Sequence, residues 1–322
     1  SVGEKFDAER FTTRIKRCGV DFVTFHARCN MGMAYYDTAV GIRHPGLNFD
    51  LFGDLAEACR NAGIALSAYF NVGFSREEGI RHRDWTTLYF DGQSYIEPRT
   101  FPSSMSMCYN SPYRDHLLAM VREVAGRYPV AGFFFDCMSP FACICPICIR
   151  EMKERGIDWN NQQEVIEFGR FSAARMADDL SAELKTFSSE YLIYFNNIGL
   201  EDQADSGTYL ECECLPCRDS YEYLPVMARF MRPLGKQCIN MTGRFNRWGD
   251  FGSIRYEAAL RYELAYGLAN DLRPNIGDHL HPDGSLNEAV LHLVEKLYRE
   301  FQACEAWFEN MTPEAEIAVV YP

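Results

Sequence analysis

Asp136 ends the run Val130-Ala131-Gly132-Phe133-Phe134-Phe135, and a few residues later the chain reads Cys143-Ile144-Cys145-Pro146-Ile147-Cys148. A strand this apolar is buried on both faces, so the carboxylate at its end is held at the rim of a low-dielectric pocket, where it can act as nucleophile or as acid/base. The plainer alternative for Asp136 is a helix cap or a structural salt bridge. Glu211 and Glu213 stand two apart in Tyr209–Glu213 and so project to the same side of a strand. Carboxylates sharing a cavity repel, and one holds its proton longer, as a general acid requires. Glu213, nearer the strand's C-terminal end, takes that role, while Glu211 orients a neighbour; the plainer alternative is that both bind Arg244 or a ligand hydroxyl. Cys143, Cys145 and Cys148 have metal-ligand spacing. Zinc takes four ligands in a tetrahedron, and the fourth is assigned to Cys108, which precedes the helix leading into the Asp136 strand. Such a closed four-thiolate site is structural, and the alternative is a set of free thiols. A second triplet, Cys212, Cys214 and Cys217, shares its strand with Glu211 and Glu213. Chelation there is geometrically awkward, so these are read as chance or partly exposed thiols.

The elements that must position these residues alternate. Apolar, β-rich segments are predicted at Val20–His26, Ile64–Asn71, Val130–Asp136, Tyr191–Asn197, Tyr209–Glu213, Cys238–Phe245 and Asn275–Asp278. Between them lie amphipathic stretches, such as Leu51, Leu55, Ala58 and Cys59, or Ile166, Phe168, Phe171, Met176, Leu180 and Leu184, whose spacing buries one face of a helix. Gly63, Gly156 and Gly235 fall where helices would stop. Strands alternating with helices across short connections make parallel βαβ units. Polar residues gather at the C-terminal strand ends: His26 and Arg28, Tyr69 and Asn71, Asp136, Asn196 and Asn197, Glu211 and Glu213, Arg244, and Asp278. That is where (β/α)8 barrels carry their sites. Taken singly, each could merely cap a loop or helix. The fold class predicted is therefore an α/β (β/α)8 TIM barrel. It lacks its first strand in this span, because the helical stretch from Phe6 to Cys18 precedes the first strand visible. The barrel is expected over residues 1–312, and Ala315–Pro322 reads as the opening strand of a further domain.

Composition narrows the partners. In 322 residues with 47% hydrophobic content, no unbroken apolar run approaches the roughly 20 residues that span a bilayer. A net charge of −13 argues against nucleic acid or an anionic membrane as partner. The 13 cysteines are odd in number, and Cys18, Cys59 and Cys238 sit inside apolar elements. That usage suits a reducing compartment, so the expected location is cytoplasmic.

Several blocks carry a resemblance. Phe25-His26-Ala27-Arg28-Cys29, Gly32, Tyr35-Tyr36, His44-Pro45, Phe49-Asp50-Leu51 and Cys108-Tyr109-Asn110-Ser111-Pro112-Tyr113 resemble the hypothetical glycosyl hydrolase 6 domain. So do Met241-Thr242-Gly243-Arg244-Phe245, Trp248-Gly249-Asp250-Phe251-Gly252 and Ile276-Gly277-Asp278-His279-Leu280-His281-Pro282. The resemblance implies a (β/α)8 barrel followed by a flavodoxin-like trimerisation domain, which residues 313–322 would begin, and a homotrimer for the full-length protein. It also implies kinship with family 29 and family 151 alpha-L-fucosidases and, more distantly, with family 42 beta-galactosidases. Asp136 matches the fucosidase nucleophile, and Cys108 with Cys143, Cys145 and Cys148 matches the family 42 pattern for structural zinc. The function so implied is that of a retaining exo-glycosidase of alpha-L-fucosidase type acting on oligosaccharides, with Asp136 as nucleophile, while Glu213 as acid/base comes from its place at the strand end. His26, Arg28, Tyr69, Asn71, Asn197, Glu211, Arg244 and Asp278 would bind hydroxyls, and Tyr35 and Trp248 would stack on the sugar ring. The alternatives are a beta-galactosidase-like enzyme with Asp136 as the acid, or a degenerate barrel that binds carbohydrate without turning it over.

Overall fold

The computed structural model describes residues 2–92, 94, 105–215, 220–250 and 252–308, with 311, 312, 314, 317 and 318. The chain divides into two compact units, the first comprising Ser1–Lys16, Val20–Tyr209 and Pro282–Ser285, the second Arg17–Gly19, Leu210–His281 and Leu286–Pro322.

The first unit begins with α1 (Ala8–Arg17), whose last residue counts with the second, and continues through β1 (Phe22–Arg28), β2 (Met33–Ala34), β3 (Ile42–Arg43), α2 (Leu51–Ala62), β4 (Ala65–Asn71), α3 (Arg76–Arg81), α4 (Tyr113–Arg127), β5 (Gly132–Asp136), α5 (Pro146–Glu154), α6 (Gln162–Lys185), β6 (Leu192–Phe195) and α7 (Leu200–Ser206). Its sheet has the order β3-β2-β1-β4-β5-β6. The run β1-β4-β5-β6 is parallel, in a register that sets His26 opposite Tyr69 and Asn71 opposite Asp136. The polar ends of neighbouring strands are thereby level. β5 is a strand because both of its faces have apolar neighbours: Phe133 and Phe135 pack with Phe70, Phe135 stacks on Phe195 at 5.3 Å, and Phe134 meets Tyr69 and Tyr194. Burying each of these rings contributes roughly 1.5–3 kcal/mol.

Local signals end the helices. The Asp50 side chain accepts the Gly53 N–H at 2.8 Å to open α2, and Gly63, at φ 63°, closes it in the left-handed region that suits glycine. Gly156 and Gly235, predicted to stop helices, also have positive φ. In α6 the buried stripe is Val165, Phe168, Met176, Leu180 and Leu184, whereas Phe171, expected in the core, is exposed. Phe171 lies off that stripe and is covered by guanidinium groups of Arg155 and Arg175, 4.3 and 5.0 Å from the ring centre. The short β2–β3 pair was not predicted.

The second unit holds β7 (Tyr209–Glu213, whose first residue counts with the first unit), α8 (Tyr223–Met231), β8 (Gln237–Gly243), α9 (Glu257–Ala269), β9 (Leu272–Gly277) and α10 (Glu288–Gln302). Its sheet has the order β7-β8-β9, with β8 and β9 parallel from Cys238↔Leu272 to Gly243↔Gly277. Leu260, Leu264 and Leu297 form a core under the sheet edge with Ile276 and Phe301. Arg255 donates to Glu263 Oε2 at 2.8 Å and to Thr242 Oγ1 at 2.7 Å, so this buried charge pair is fully hydrogen-bonded.

The α/β class, with parallel strands followed by helices, is as the sequence predicted. Among the described residues no helix is long and apolar enough to cross a membrane. The strand predicted over 315–322 lies outside the described residues, 317 and 318 apart. Cys217 and Phe251 lie outside them as well.

Candidate active site

Asp136, half-buried at the end of β5, receives hydrogen bonds on both carboxylate oxygens. Oδ1 accepts the Cys137 backbone N–H at 2.7 Å and the Asn196 amide at 2.9 Å, and Oδ2 accepts the Tyr69 hydroxyl. This is the acceptor-only geometry of an ionised carboxylate. The backbone around it is unusual. Cys137 and Asn197 occupy the left-handed region at φ 58° and 71°, and a side chain on Gly73 would put its Cβ 1.8 Å from the Cys137 carbonyl oxygen. Strain of this kind persists only where surrounding structure over-determines it. The Tyr69 ring packs against exposed His26, centroids 4.1 Å apart, and against Phe134 at 5.6 Å. Burial, and then the charge of Asp136, push the Tyr69 phenol well above its usual range, so it stays a proton donor.

Other residues predicted to bind ligand in this unit are placed differently. Arg28 is fully buried. Its guanidinium pairs with Glu78 at 3.0 Å, donates to the carbonyls of Asn71 and Phe74, and lies over the Tyr113 ring. Glu78 is further bound by Ser75 and by His116 at 3.3 Å. The role predicted for Arg28 on a ligand hydroxyl therefore gives way to a structural one, holding the turn after β4. Asn71 is also fully buried: its Oδ1 accepts the Phe74 N–H at 2.9 Å and its amide donates to Tyr69 and to Cys137 Sγ, both at 3.2 Å. Tyr35 stacks on His44 at 5.6 Å, and burial followed by Cys29 raises its phenol. Asn197 is exposed, while its neighbour Asn196 is the one that reaches Asp136.

A second polar group lies in the second unit. Glu213 accepts the Trp248 indole N–H at 2.9 Å, and the Trp248 ring lies over the Gly277 backbone, where an added Cβ would come within 2.4 Å. Trp248, predicted to stack on a sugar, thus anchors Glu213. Buried Glu211 accepts from the Asn275 amide, so the paired carboxylates of β7 have different partners. Arg244, 1% exposed, donates to Asp278 Oδ1 and to the Ser253 carbonyl, both at 2.6 Å. His279 stacks on Phe245 at 4.5 Å, and burial together with Arg244 lowers its imidazole. Sequence reasoning missed His279 and Asn275, although His279 follows Asp278 directly.

The thiols predicted as ligands come together. The Sγ atoms of Cys108, Cys143, Cys145 and Cys148 all lie within 4.8 Å of one another, with Cys108 3.7 Å from Cys145 and 3.5 Å from Cys148. Four sulfurs around zinc at roughly 2.3 Å would stand about 3.8 Å apart, so the donor set and its dimensions fit that ion. Asn110 donates to Cys148 Sγ at 3.2 Å, and the Leu88 N–H lies 3.5 Å from Cys143 Sγ. Hydrogen bonds among the four sulfurs pull the Cys143 and Cys145 thiols below their usual range and, with burial, push Cys108 and Cys148 above it. Met152, Val165 and Phe168 wall the cluster.

These features describe an α/β protein with carboxylates at the C-terminal ends of parallel strands. Residues 7–137, a segment that includes Asp136, match the model of the family described as Hypothetical glycosyl hydrolase 6, and the resemblance read from the sequence is borne out there. None of the curated proteins matches the chain. Among solved structures, alpha-L-fucosidase isoenzyme 2 from Paenibacillus thiaminolyticus is similar with a TM-score of 0.90 and 32% identity, over 96% of this chain and 48% of that one. A GH29 alpha-L-fucosidase from Bacteroides thetaiotaomicron aligns at TM-score 0.60 and 13% identity, over 94% of this chain and 60% of that one. The Thermotoga maritima alpha-fucosidase in complex with fucose aligns at 0.56 and 16%, over 95% and 58%. The last two likenesses are of fold. The chain spans about half the length of the Paenibacillus protein.

Proposed function

We propose that this chain is the catalytic part of a retaining exo-glycosidase of alpha-L-fucosidase type acting on oligosaccharides, with Asp136 as nucleophile and Glu213 as acid/base. The observation that carries this is the Asp136 carboxylate, held by Tyr69, Asn196 and the Cys137 N–H at the end of a buried strand. It stands in a chain 32% identical to an alpha-L-fucosidase over 96% of its own length. In the first step a carboxylate oxygen bonds to the anomeric carbon while the glycosidic C–O bond breaks, its electron pair leaving with the departing oxygen, which takes the proton of Glu213. In the second step Glu213 takes a proton from water, which attacks the same carbon and releases Asp136. His26, packed on Tyr69, and Asn197, next in sequence to Asn196, are exposed and would meet sugar hydroxyls. The fold that goes with this reading is a (β/α)8 barrel.

Zinc at Cys108, Cys143, Cys145 and Cys148 belongs to the same proposal as a structural ion. Bound there it would offset two of the four thiolate charges and tie the loop after β5 to the segment before α4, with no part in the reaction. A homotrimer of the full-length protein and a cytoplasmic location complete the reading, the latter supported by cysteines that are all free thiols among the described residues. The test is hydrolysis of 4-nitrophenyl alpha-L-fucoside by the full-length protein, followed by NMR of the first-formed sugar. The reading predicts turnover with the anomeric configuration retained. L-fucose binding without hydrolysis of this or any other nitrophenyl glycoside would leave a binding barrel instead.

A further inference from the structure

We infer that Tyr69 is a positioning residue of the nucleophile, not a sugar ligand, and that Asp136 attacks through Oδ2. The inference rests on the reading of Asp136 as nucleophile and deepens it. The direction of each hydrogen bond follows from groups that admit one arrangement. Asn71 Oδ1 is fixed by the Phe74 backbone N–H at 2.9 Å, which turns its NH2 group toward the Tyr69 oxygen and Cys137 Sγ. With the Asn71 amide donating into the phenol oxygen, the one phenol proton is left for Asp136 Oδ2. On the other side the Tyr194 hydroxyl, 3.1 Å from Asn196 Oδ1, turns the Asn196 NH2 toward Asp136 Oδ1. Oδ1 also takes the Cys137 N–H, so among the described residues both of its lone pairs are engaged, while Oδ2 accepts a single donor and keeps one pair. The Tyr69 ring packs against both His26 and Phe134.

The consequence is a division of labour between the two chemical steps. When the spare pair of Oδ2 bonds to the anomeric carbon, Oδ2 becomes the ester oxygen and Oδ1 the carbonyl, still held by its two donors. When water displaces the ester, the C–Oδ2 bond breaks and its electron pair returns to Oδ2, where the Tyr69 proton meets the developing charge. Tyr69 therefore assists release of the sugar from Asp136 more than its capture.

Tyr69→Phe keeps the ring and removes the proton. With 4-nitrophenyl alpha-L-fucoside, whose good leaving group makes capture fast, kcat is expected to fall about 10- to 100-fold. KM falls with it as the glycosyl-enzyme accumulates, and a burst of nitrophenol close to one per active site appears. Asn196→Ala, which removes a donor from Oδ1, is expected to act in the same direction. In the Asp136→Asn background, adding Tyr69→Phe leaves the L-fucose dissociation constant within about threefold, since the residue acts through the carboxylate already removed. A KM that rises or holds while kcat falls, or L-fucose affinity lost in the double variant, overturns the inference. Near-wild-type turnover by Asp136→Asn alone would instead remove the nucleophile reading beneath it.

Discussion

Two polar clusters grow from the chain around β5, and they are built to opposite specifications. At Asp136 the carboxylate is half-exposed and ringed by neutral donors on elements whose side chains are themselves packed or hydrogen-bonded. At the thiol cluster the four cysteines are at most 4% exposed, walled by Met152, Val165 and Phe168. An open, charged group with oriented donors is prepared to meet another molecule. A closed set of thiols, on the proposed reading, would hold an ion that stays. Exposure, more than residue type, separates the two clusters.

Substitution should separate them in the same way. Asp136→Asn removes charge without changing shape, and is expected to lower kcat on the order of 10³- to 10⁵-fold while leaving the melting temperature within a few degrees, as steady-state kinetics and calorimetry on one preparation would show. Cys148→Ser is expected to do the reverse, lowering Tm by roughly 5–15 °C, with kcat per folded molecule nearly unchanged. Prolonged treatment with a strong chelator should match it if the cluster holds zinc, and a Tm indifferent to both would break the contrast.

Arg28 tests the boundary between the clusters' roles, since it was a candidate ligand and proves to be buried against Glu78. Arg28→Met strands a buried carboxylate and is expected to cost about 3–5 kcal/mol of stability by denaturant titration. A stable Arg28→Met protein with a raised KM would return the residue to sugar binding. The smallest effect expected concerns thiols outside both clusters. Burial pushes Cys59 up to about 12 and Cys238 up to about 11, so iodoacetamide at neutral pH should spare both in the native protein and label exposed Cys304, as peptide mass spectrometry would report.

How much of this was legible in the sequence follows from how local each cause is. β5 and its terminal Asp136 could be read because an unbroken apolar run has few other fates, and the thiols because spacing is a local property. β9 begins at Leu272, earlier than read, because Arg273 and Pro274 are poor strand formers and only pairing with β8 makes them one. The two-residue strands β2 and β3 exist through pairing alone. At the site, polar residues at strand ends were identified, but the direction of each side chain was not. Tyr69 and Asn71 face Asp136 because the register of β4 and β5 sets their ends level. Arg28 meets Glu78, and Glu213 meets Trp248, across chain separations of 50 and 35 residues that no local pattern encodes.

On the proposed mechanism Asp136 carries the sugar between the two steps. The most direct measurement is to incubate the full-length protein with 2-deoxy-2-fluoro-alpha-L-fucosyl fluoride, whose fluorine slows release from the enzyme, then digest it and locate the added mass by tandem mass spectrometry. One 2-fluorofucosyl group on Asp136, lost when Asp136→Asn is treated alike, is the predicted result. Labelling of Glu211 or Glu213 in place of Asp136, or rapid hydrolysis of substrate with inverted configuration and no adduct, would contradict it.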